Sequence, residues 1–413
     1  MMTDERFDVV VIGGGPGGTR TASGVSRLGL STLILEKRER IGYPVRCAEA
    51  IGPAEGIARY IDVKEPFVTS VVNGLTIVSP DGKRYQKEMK GIGYIVDREL
   101  LDLHIAEAAC SNGAVLRTGH QATGLIREDG KVVGVNVLEL STRRKYRVQS
   151  KITVGSDGVE SLSPRWAGLK GPTRVDEIFS CAQYLVECVD LPDKYVEFHL
   201  SSTFAPGGYG WVFPKGNGSA NIGVGINPEL ASGLTARDYL EKFMDRVCPE
   251  GDRKRFVCGG TLLSDSLPSL AVDGFIAVGE AANQNNPFTG GGILNAIMAG
   301  DMAATTICRC FEKGDFSSSG LSTYTKEWKR NEGRMNKRFY LAGKVFYSLD
   351  DRTMDKVLSA LNTREGLITR KGLGSAKLIG VLLRSSPSLL GKTLMKALSA
   401  RKRSRKTFSG LNT

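Results

Sequence analysis

The chain has 413 residues, of which 41% are hydrophobic and 24% charged, an ordinary composition for a globular protein of two or three packed domains. No stretch reaches the roughly 18 to 20 uninterrupted apolar residues of a membrane-spanning helix, and residues 1–6 carry no signal-peptide pattern, so we expect an intracellular protein that is soluble or peripherally bound to a membrane. The formal net charge of +12 predicts attraction to anionic partners such as phospholipid headgroups, diphosphates or nucleic acid.

The chain begins with a predicted strand, helix and strand. Residues 7–12 are rich in Val and Ile, as is typical of a parallel strand buried on both faces, and they lead directly into a glycine cluster. A helix is predicted over residues 16–28 and a second parallel strand over residues 31–36. This compact β-α-β unit indicates a Rossmann-type nucleotide-binding fold.

The pattern then changes to antiparallel strands. Residues 75–86 and 121–149 are predicted to form a hairpin and a meander with Asp-Gly turns. Alternating and aromatic segments over residues 179–226 suggest a second sheet, and residues 273–278 return to a strand that leads into another glycine-rich helix start. We therefore expect an α/β protein, α+β overall, in which an antiparallel sheet is inserted into the Rossmann scaffold.

These elements predict three regions. A discontinuous nucleotide-binding domain is expected to comprise residues 1–60, 95–178 and 265–312. A β-rich substrate domain is expected to comprise residues 61–94 and 179–264. The last region, residues 313–413, is expected to be helical and to end in a basic tail.

The C-terminal region combines apolar residues with basic ones. Two apolar helices are predicted, with a break at Ser386-Pro387, and their leucines fit either an ordinary core face or a lipid-facing surface. The basic tail has the sequence RKRSRK at residues 401–406. The apolar residues are Leu378, Ile379, Val381, Leu382, Leu383, Leu389, Leu390, Leu394, Met395 and Leu398.

The eight cysteines form no recognisable metal motif. They lie far apart except for Cys308 and Cys310, they include no CxxC pair, and only His104, His120 and His199 could supplement them. Neither a zinc site nor an iron–sulfur cluster is expected. We expect all eight cysteines to be reduced thiols.

Gly13, Gly15 and Gly18 form a G-x-G-x-x-G pattern between the first predicted strand and the first predicted helix. Missing side chains let the backbone, including that of Gly17, approach a pyrophosphate, and the helix N-terminus supplies partial positive charge. Glu36 ends the second strand, where its carboxylate can accept hydrogen bonds from the adenosine ribose hydroxyls. A lone glycine pattern is weak, but the strand–helix–strand–acid context predicts a dinucleotide site.

Residues 278–295 favour FAD over NAD as the dinucleotide. Glu280 follows a predicted strand, and glycines 290–292 open a helix. The acid can bind the ribityl hydroxyls while the helix N-terminus faces the isoalloxazine carbonyl edge, where reduction builds negative charge. A helix cap with a tight turn is the alternative, and it explains less of the combined pattern.

The chain resembles the flavoprotein family that includes p-hydroxybenzoate hydroxylase and the geranylgeranyl reductases. Its version of the middle motif is Gly-Ser-Asp-Gly at residues 155–158. The resemblance covers the whole chain and narrows to the archaeal digeranylgeranylglycerophospholipid reductases at two segments. These are YPVRCAEA at residues 43–50 and PGGYGWVFP at residues 206–214, which fits the P-x-x-Y-x-W-x-F-P signature completely.

The resemblance implies a set of FAD contacts spread along the chain. Glu280 replaces the common aspartate with one extra methylene, and Ala48 and Ala50 stand where glycine is frequent. The carboxylate charge and the number of hydrogen-bond acceptors are kept despite these changes, so FAD is still expected to bind. The implied contacts are Gly17, Glu36, Cys47, Ala48, Ala50, Arg98, Ala122, Glu280, Gly292 and Ile293.

Two of these residues have ordinary alternatives. Arg98 opens a predicted helix, and its guanidinium could neutralise a cofactor phosphate or simply be solvated. An isolated cysteine such as Cys47 is usually a small buried hydrophobe, and its place in the family motif is what favours a role beside the flavin.

The signature at residues 206–214 predicts a substrate surface. Tyr209, Trp211 and Phe213 alternate at strand spacing, so their rings share one face and form a wall suited to a hydrocarbon chain or to electron-poor carbon. Plain sheet packing is the alternative. The surrounding prolines and the flavin context favour substrate binding by Pro206 and the three aromatic residues.

The resemblance implies transfer of a hydride from reduced FAD to one carbon of a prenyl alkene, with a proton delivered to the other carbon. Cys47 and Tyr209 are the candidate acids, and Trp211 is the candidate ring facing the developing cation. The expected substrate is a prenylated membrane lipid, and an external donor such as ferredoxin or NAD(P)H would supply electrons. We expect a cytoplasmic protein held at the inner face of the cell membrane by its basic tail, with no nucleic-acid partner.

Other functions remain open at this point. The substrate could be geranylgeranyl diphosphate or the menaquinone side chain, or the protein could be a flavin monooxygenase, since one fold supports several activities. A flavoprotein that binds lipid or nucleic acid without turnover is the non-enzymatic alternative, and the basic tail is its main support.

Overall fold

The computed structural model describes residues 4–63, 66–187, 194–362, 368–369 and 372–373. Its strands are β1 (Asp4–Ile12), β2 (Thr32–Glu36), β3 (Ala50–Ile51), β4 (Val68–Val78), β5 (Arg84–Val96), β6 (Val115–Thr118), β7 (His120–Glu128), β8 (Lys131–Glu139), β9 (Lys145–Gly155), β10 (Ile178–Glu187), β11 (Tyr195–His199), β12 (Tyr209–Gly216), β13 (Ser219–Ile226), β14 (Asp252–Leu262), β15 (Ala271–Val272), β16 (Phe275–Ala277), β17 (Ile368–Thr369) and β18 (Gly372–Leu373). Its α-helices are α1 (Pro16–Ser26), α2 (Ala54–Ile57), α3 (Arg98–Ser111), α4 (Ser163–Trp166), α5 (Ala236–Val247), α6 (Ile293–Lys313), α7 (Ser318–Trp328), α8 (Arg334–Phe346) and α9 (Asp351–Asn362).

The first sheet has the strand order β15-β16-β9-β1-β2-β6, parallel from β16 to β6 with β15 antiparallel to β16, and the meander β7–β8 attaches to β9. Val9, Val10 and Val11 of β1 are fully buried, as expected for a strand covered on both faces. Because β16, β9, β1 and β2 run in the same direction, their carboxyl ends meet at one edge. The glycine loop and the residues that follow β9 and β16 lie at this edge, where open α/β sheets bind ligands.

The second sheet has the strand order β14-β10-β13-β12-β11-β4-β5-β3 and is antiparallel except where β11 runs parallel to β4. Helix α5 covers one face, where Leu240 and Phe243 pack against Ile222 of β13. The opposite face carries Trp211 and Phe213 of β12. Alternation along β12 therefore separates the core under α5 from an aromatic surface on the other side.

Two helices of the nucleotide-binding region pack through small residues. A side chain at Gly300 of α6 would lie 2.7 Å from the carbonyl oxygen of Gly17, and one at Gly24 of α1 would lie 2.5 Å from Cβ of Ala304. These positions let the backbones of α1 and α6 approach closely. The N-termini of both helices consequently stand beside the carboxyl edge of the first sheet.

The helices that follow α6 join the two sheets. Trp328 of α7 is buried in the core of the first sheet, whereas Phe346 of α8 and Val357 of α9 pack with Leu200 and with Phe288 from the loop before α6. Among the residues that the structure describes, no helix is both long and apolar enough to cross a membrane.

The expected fold class is confirmed, because a Rossmann-like sheet, a second curled sheet and C-terminal helices are all present. The exact domain boundaries stay a prediction, and the apolar residues 378–398 and the basic tail lie outside the described residues. One expectation is wrong: Cys248, next to the end of α5, is disulfide-bonded. Spacing along the chain does not reveal which thiols meet in space. The free cysteines among the described residues are Cys47, Cys110, Cys181, Cys258, Cys308 and Cys310.

Candidate active site

Glycines 13, 15 and 18 play three different structural roles. Gly13 has a φ of +104°, and a side chain there would lie 2.4 Å from the carbonyl oxygen of Ser156, whereas a side chain at Gly18 would lie 2.2 Å from the carbonyl oxygen of Gly13. Gly15, the N-cap of α1, has no heavy atom within 4 Å of its missing Cβ. Open space therefore borders the uncapped helix N-terminus, which is a cradle suited to a pyrophosphate.

Glu36 lies at the end of β2, beside the glycine loop. Its Oε2 accepts a hydrogen bond from the backbone N–H of Gly14 at 2.8 Å, and its Oε1 accepts one from Arg38 N at 2.9 Å. Each carboxylate oxygen has a second lone pair, so both can still accept a hydrogen bond from a ribose hydroxyl. Ala122 is buried on β7 in a cluster with Ile12 and Leu35, close to the same edge.

Glu280 connects the nucleotide-binding region to the second sheet. Its Oε1 accepts hydrogen bonds from Thr261 Oγ1 at 2.7 Å and from Leu262 N at 3.0 Å, both on β14. Burial raises the pKa of Glu280, although these two hydrogen bonds oppose the shift. Glu280 therefore accepts hydrogen bonds from β14. The sequence predicted it only as an acceptor for the ribityl hydroxyls.

Helix α6 presents its N-terminus to the same region. Gly292 is its N-cap and makes no side-chain cap, so the first N–H groups of the helix have no side-chain partner at that position. Gly17 packs against this part of the molecule, because a side chain there would lie 3.2 Å from Val278 Cγ1 and 3.3 Å from the carbonyl oxygen of Ala296. Ile293, the first residue of α6, packs in a cluster with Cys47.

Arg98 lies against Cys47 and Asp102. Its Nε and Nη2 donate to the two carboxylate oxygens of Asp102 at 2.9 and 2.8 Å. Burial lowers the pKa of Arg98, but the charge of Asp102 and a hydrogen bond with the Cys47 thiol raise it by more. The net pKa is raised, so Arg98 remains a cation. A contact between Arg98 and a cofactor phosphate stays a prediction.

The Cys47 segment bridges α6 and the aromatic face. The carbonyl oxygen of Cys47 accepts a hydrogen bond from Gln183 Nε2 at 3.2 Å, and its Sγ accepts one from the backbone N–H of Glu49 at 3.2 Å. Ala48 and Ala50 pack against the cluster that contains Trp211. The loop thus places a thiol between the start of α6 and the face of the second sheet.

The three aromatic residues of β12 form the predicted wall. The ring centroids of Tyr209 and Trp211 are 6.0 Å apart, and those of Trp211 and Phe213 are 6.4 Å apart. Trp211 and Phe213 are buried, and Trp211 Nε1 donates to Gln183 Oε1 at 3.0 Å. Gly223 on the neighbouring strand leaves room for the indole, since a side chain there would lie 2.3 Å from Trp211 Cζ2.

Pro206 lies before the wall rather than within it. It is buried outside β12, and its carbonyl oxygen accepts a hydrogen bond from Asn227 N at 2.9 Å. Gly207, with a φ of +65°, then turns the chain toward β12. Direct substrate contact by Pro206 stays a prediction.

Tyr209 has its hydroxyl proton engaged within the protein. Its hydroxyl donates to the carbonyl oxygen of Thr289, in the loop before α6, and its ring stacks with that of Tyr347 at a centroid distance of 6.4 Å. Burial raises the pKa of Tyr209, and Cys181 and Cys47 reinforce the shift. The phenol is therefore neutral and fastens the loop to the wall.

The sequence did not identify several residues that the fold brings to this site. Cys181 and Gln183 alternate on β10 and so share its face, and burial raises the pKa of Cys181 to about 12, with a smaller effect from Glu280. Glu49 and Asp102 are buried partners of the predicted residues. Period-two alternation was the only local signal for the β10 pair, because their partners lie far away in the chain.

Comparisons with known proteins agree with these features. Residues 8–158 match the family model described as FAD dependent oxidoreductase, and residues 177–261 match the geranylgeranyl reductase catalytic domain. The chain is 37% identical to the digeranylgeranylglycerophospholipid reductase of Methanosarcina acetivorans, over 86% of this chain and 88% of that protein. The reductase of Methanosarcina mazei is also 37% identical, over 86% of this chain and 89% of that protein.

A solved structure resembles the whole architecture. It is a geranylgeranyl bacteriochlorophyll reductase-like protein from Thermoplasma acidophilum, with a TM-score of 0.86 and 32% sequence identity. The similarity covers 94% of this chain and 99% of that chain. Both the first sheet and the second sheet therefore belong to an architecture with a known structural relative.

Proposed function

Because the chain belongs to the geranylgeranyl reductase family, we propose that it is an FAD-dependent enzyme that saturates the isoprenoid double bonds of membrane ether-lipid precursors. The observation that carries this proposal is the position of Cys47, which packs beside the start of α6 and whose loop packs against the Trp211 wall. This position supports Cys47 as a proton donor between the start of α6, where the flavin would bind, and an apolar surface.

The residues present fit FAD as the cofactor. The open space at Gly15 and the N-terminus of α1 would receive the pyrophosphate, Glu36 the adenosine ribose, and Glu280 the ribityl chain. The N-terminus of α6 at Gly292 would face the isoalloxazine. When bound in its reduced form, FAD supplies the hydride that adds to one alkene carbon.

The aromatic wall holds and shields the prenyl chain. Isolated alkenes offer no carbonyl group to polarise, so alignment and exclusion of water must provide most of the assistance. Trp211 and Phe213 contribute buried apolar surface for this purpose. The indole face of Trp211 also stabilises positive charge that develops on the carbon awaiting a proton.

Cys47 donates the proton to that carbon from Sγ. The nearby guanidinium of Arg98 stabilises the thiolate that remains, and Asp102 holds the guanidinium in place through two hydrogen bonds. Tyr209 is the weaker candidate acid, because its hydroxyl already donates a hydrogen bond to the carbonyl oxygen of Thr289. Its role is to hold the loop before α6 against the wall.

The electron source and the cellular position complete the proposal. An external donor, ferredoxin or NAD(P)H or another reductant, would reduce FAD between turnovers. The basic tail at residues 401–406 would hold the protein at the anionic inner face of the cell membrane, where its lipid substrate resides.

Anaerobic single turnover tests the reaction. Purified FAD-loaded protein is reduced with dithionite and mixed with a detergent-dispersed geranylgeranylated phospholipid, and the lipid is then examined by mass spectrometry. We expect reoxidation of the flavin together with a mass gain of one dihydrogen per saturated bond, whereas oxidised protein should give neither. Reduced flavin that persists anaerobically with every prenyl lipid would indicate a binding protein, and lipid-dependent oxygen consumption without saturation when the assay is repeated in air would indicate a monooxygenase.

A further inference from the structure

Glu49 is a buried carboxylate beside Cys47. Glu49 is 1% exposed, and its Oε2 accepts hydrogen bonds from Lys215 Nζ at 2.5 Å and from Asn221 Nδ2 at 2.7 Å. Its Oε1 accepts one from the backbone N–H of Arg98 at 3.0 Å. A buried carboxylate requires such pairing, and here the partners come from β12, β13 and the start of α3.

The backbone of Glu49 adopts a conformation that is unfavourable for a residue with a side chain. Its φ is +69°, in the left-handed region that glycine prefers. This turn directs the N–H of Glu49 to Sγ of Cys47, and the carbonyl oxygen of Glu49 accepts a hydrogen bond from Val96 N at 2.9 Å. The side-chain contacts of Glu49 are therefore what maintains a turn that contacts the thiol directly.

The same network holds each residue of the segment 47–49. Asn221 Nδ2 donates to the carbonyl oxygen of Ala48 at 3.2 Å as well as to Glu49, and Gln183 donates to the carbonyl oxygen of Cys47. Both donors project from the second sheet, which also carries the wall. The position of the Cys47 thiol relative to the wall is thus set through a small number of polar contacts.

We propose that Glu49 is a positioning residue that fixes the Cys47 thiol beside the Arg98 guanidinium, so that the thiol can deliver its proton to the bound alkene. This inference rests on the proposed function, because it assumes that Cys47 is the proton donor. Glu49 itself touches neither the alkene nor the flavin in this role. It acts through the backbone of residues 47–49 and through Arg98 N.

Glu49→Gln tests the proposal with almost no change in side-chain volume. In either orientation of the amide, its NH2 group faces a group that is itself a donor: the backbone N–H of Arg98 if the amide oxygen faces Lys215 and Asn221, or Lys215 and Asn221 if the amide is flipped. In the flipped orientation Asn221 could rotate to accept, but it would then lose its hydrogen bond to the carbonyl oxygen of Ala48. We expect FAD content and KM for the lipid to change by less than about twofold, and the single-turnover rate of flavin reoxidation to fall about tenfold to a hundredfold, because small displacements of reacting groups have such effects.

Thiol alkylation provides a readout that does not depend on turnover. Iodoacetamide labelling of the FAD-loaded protein, resolved by peptide mass spectrometry, reports the thiolate character of Cys47, and the exposed Cys110 serves as an internal control. In Glu49→Gln, labelling of Cys47 at pH 7 should fall about fivefold relative to Cys110, because the thiol has moved from the guanidinium.

Two further variants separate positioning from general stability. Glu197→Gln is the matched control, since Glu197 is also buried, lies in the second sheet, and is paired with His199 at 2.8 Å and with Arg84. It should leave the reoxidation rate and Cys47 labelling unchanged. The double variant Glu49→Gln, Lys215→Met removes the unpaired ammonium and should recover thermal stability without recovering the rate.

Three outcomes would overturn the proposal. They are wild-type reoxidation and labelling in Glu49→Gln, equal losses in Glu197→Gln, and recovery of the rate in the double variant, which would mean that Glu49 only balances the charge of Lys215. Failure of the proposed function is distinguishable, because wild-type protein would then not saturate the lipid at all. The labelling of Cys47 would still report whether Glu49 positions the thiol.

Discussion

Cys47 and Tyr209, the two candidate acids from the sequence, differ in their surroundings. The Tyr209 hydroxyl donates a hydrogen bond to the carbonyl oxygen of Thr289, and burial raises its pKa. Cys47 accepts a hydrogen bond from a backbone N–H and lies beside the Arg98 guanidinium, so its own proton has no competing acceptor in these contacts. At the scale of single residues, hydrogen-bond direction decides which group is the better acid.

Replacing Cys47 with serine should retain FAD but slow alkene saturation by about a hundredfold. A hydroxyl fits the space of a thiol, yet an alcohol is a far weaker acid, and general acid catalysis commonly contributes 10²-fold or more. Single-turnover reoxidation of dithionite-reduced protein by a prenyl lipid measures the effect. Wild-type rates in this variant would remove Cys47 from the mechanism.

Tyr209→Phe and Cys181→Ser are the companion variants. Tyr209→Phe removes only the hydroxyl that fastens the loop at Thr289, so the rate should fall less than in Cys47→Ser, by about tenfold or less. Because burial raises the pKa of Tyr209, its removal should leave the rate profile between about pH 6 and 9 unchanged. If Cys181→Ser instead caused the loss expected of Cys47→Ser, Cys181 rather than Cys47 would be the proton donor.

At the scale of elements, the two helix N-termini and the loops before them define where a dinucleotide can bind. Both α1 and α6 begin at a glycine that makes no side-chain cap. Their mutual packing through Gly17 and Gly300 fixes the separation of the two N-termini. Glycine therefore serves two physical purposes in this region, which are access for a ligand and close packing of backbones.

Gly15→Ala and Gly18→Ala should separate these purposes. The Cβ at position 15 would meet no protein atom within 4 Å, so stability should be nearly unchanged while FAD affinity falls about tenfold or more, about 1.4 kcal/mol. The Cβ at position 18 would overlap the Gly13 carbonyl oxygen and should destabilise the fold by about 1–3 kcal/mol or more. Flavin titration and thermal unfolding measure the two effects, and equal FAD affinity in Gly15→Ala and wild type would contradict the cradle.

A polar contact links the segment before β10 to the C-terminal helices. Lys344 of α8 contacts Asp176 Oδ2 at 2.9 Å. Burial raises the pKa of Asp176, but hydrogen bonds from Arg174 and Lys344 outweigh it and lower the pKa to about 2, below the ordinary 3.8. Because the folded pKa is the lower one, the carboxylate contributes stability that is complete above about pH 4 and lost as the pH falls toward 2.

Asp176→Asn should therefore reduce the free energy of unfolding by about 1 kcal/mol at pH 7, a value discounted for partial solvent exposure. The difference from wild type should shrink as the pH falls from 4 toward 2, as measured by urea unfolding. Glu177→Gln is the control of opposite sign, because burial raises the pKa of Glu177. It should gain stability relative to wild type above about pH 5, and a constant difference at all pH values would contradict both assignments.

At the scale of the whole molecule, the site lies where the two sheets meet. Glu280 of the nucleotide-binding region binds β14, Tyr209 of the second sheet binds the loop before α6, and the Cys47 loop contacts both. Helices α8 and α9 cover this junction by packing on Phe288. A prenyl chain and a flavin can therefore meet in an apolar, protein-lined region.

The basic tail, which lies outside the described residues, is expected to act on the membrane rather than on the chemistry. Deleting residues 401–413 removes five basic residues of the RKRSRK segment, each worth about 1 kcal/mol near an anionic surface. Binding to anionic liposomes should weaken and the apparent KM for membrane-embedded lipid should rise, while turnover of a short detergent-dispersed substrate stays nearly intact. Liposome and DNA binding are compared across a salt series, since both would be screened.

Unchanged liposome binding at low salt would identify the tail as solvated. Equal loss of activity on the dispersed substrate would identify it as structural. Tighter binding of the tail to DNA than to liposomes would favour nucleic acid as its partner.

The sequence by itself determined those features that depend on neighbours along the chain. The glycine pattern, the acid at Glu36 and the alternation of Tyr209, Trp211 and Phe213 are local, so strand and helix periodicity predicted the fold class and the wall. Only the tertiary structure decided how the site is held together. Glu49 and Lys215 are 166 residues apart in the chain, and Glu49 and Asn221 are 172 apart. The partners of a buried charge are chosen by which strands and helices pack together, and no local spacing contains that information, nor the pairing of Cys248 in a disulfide.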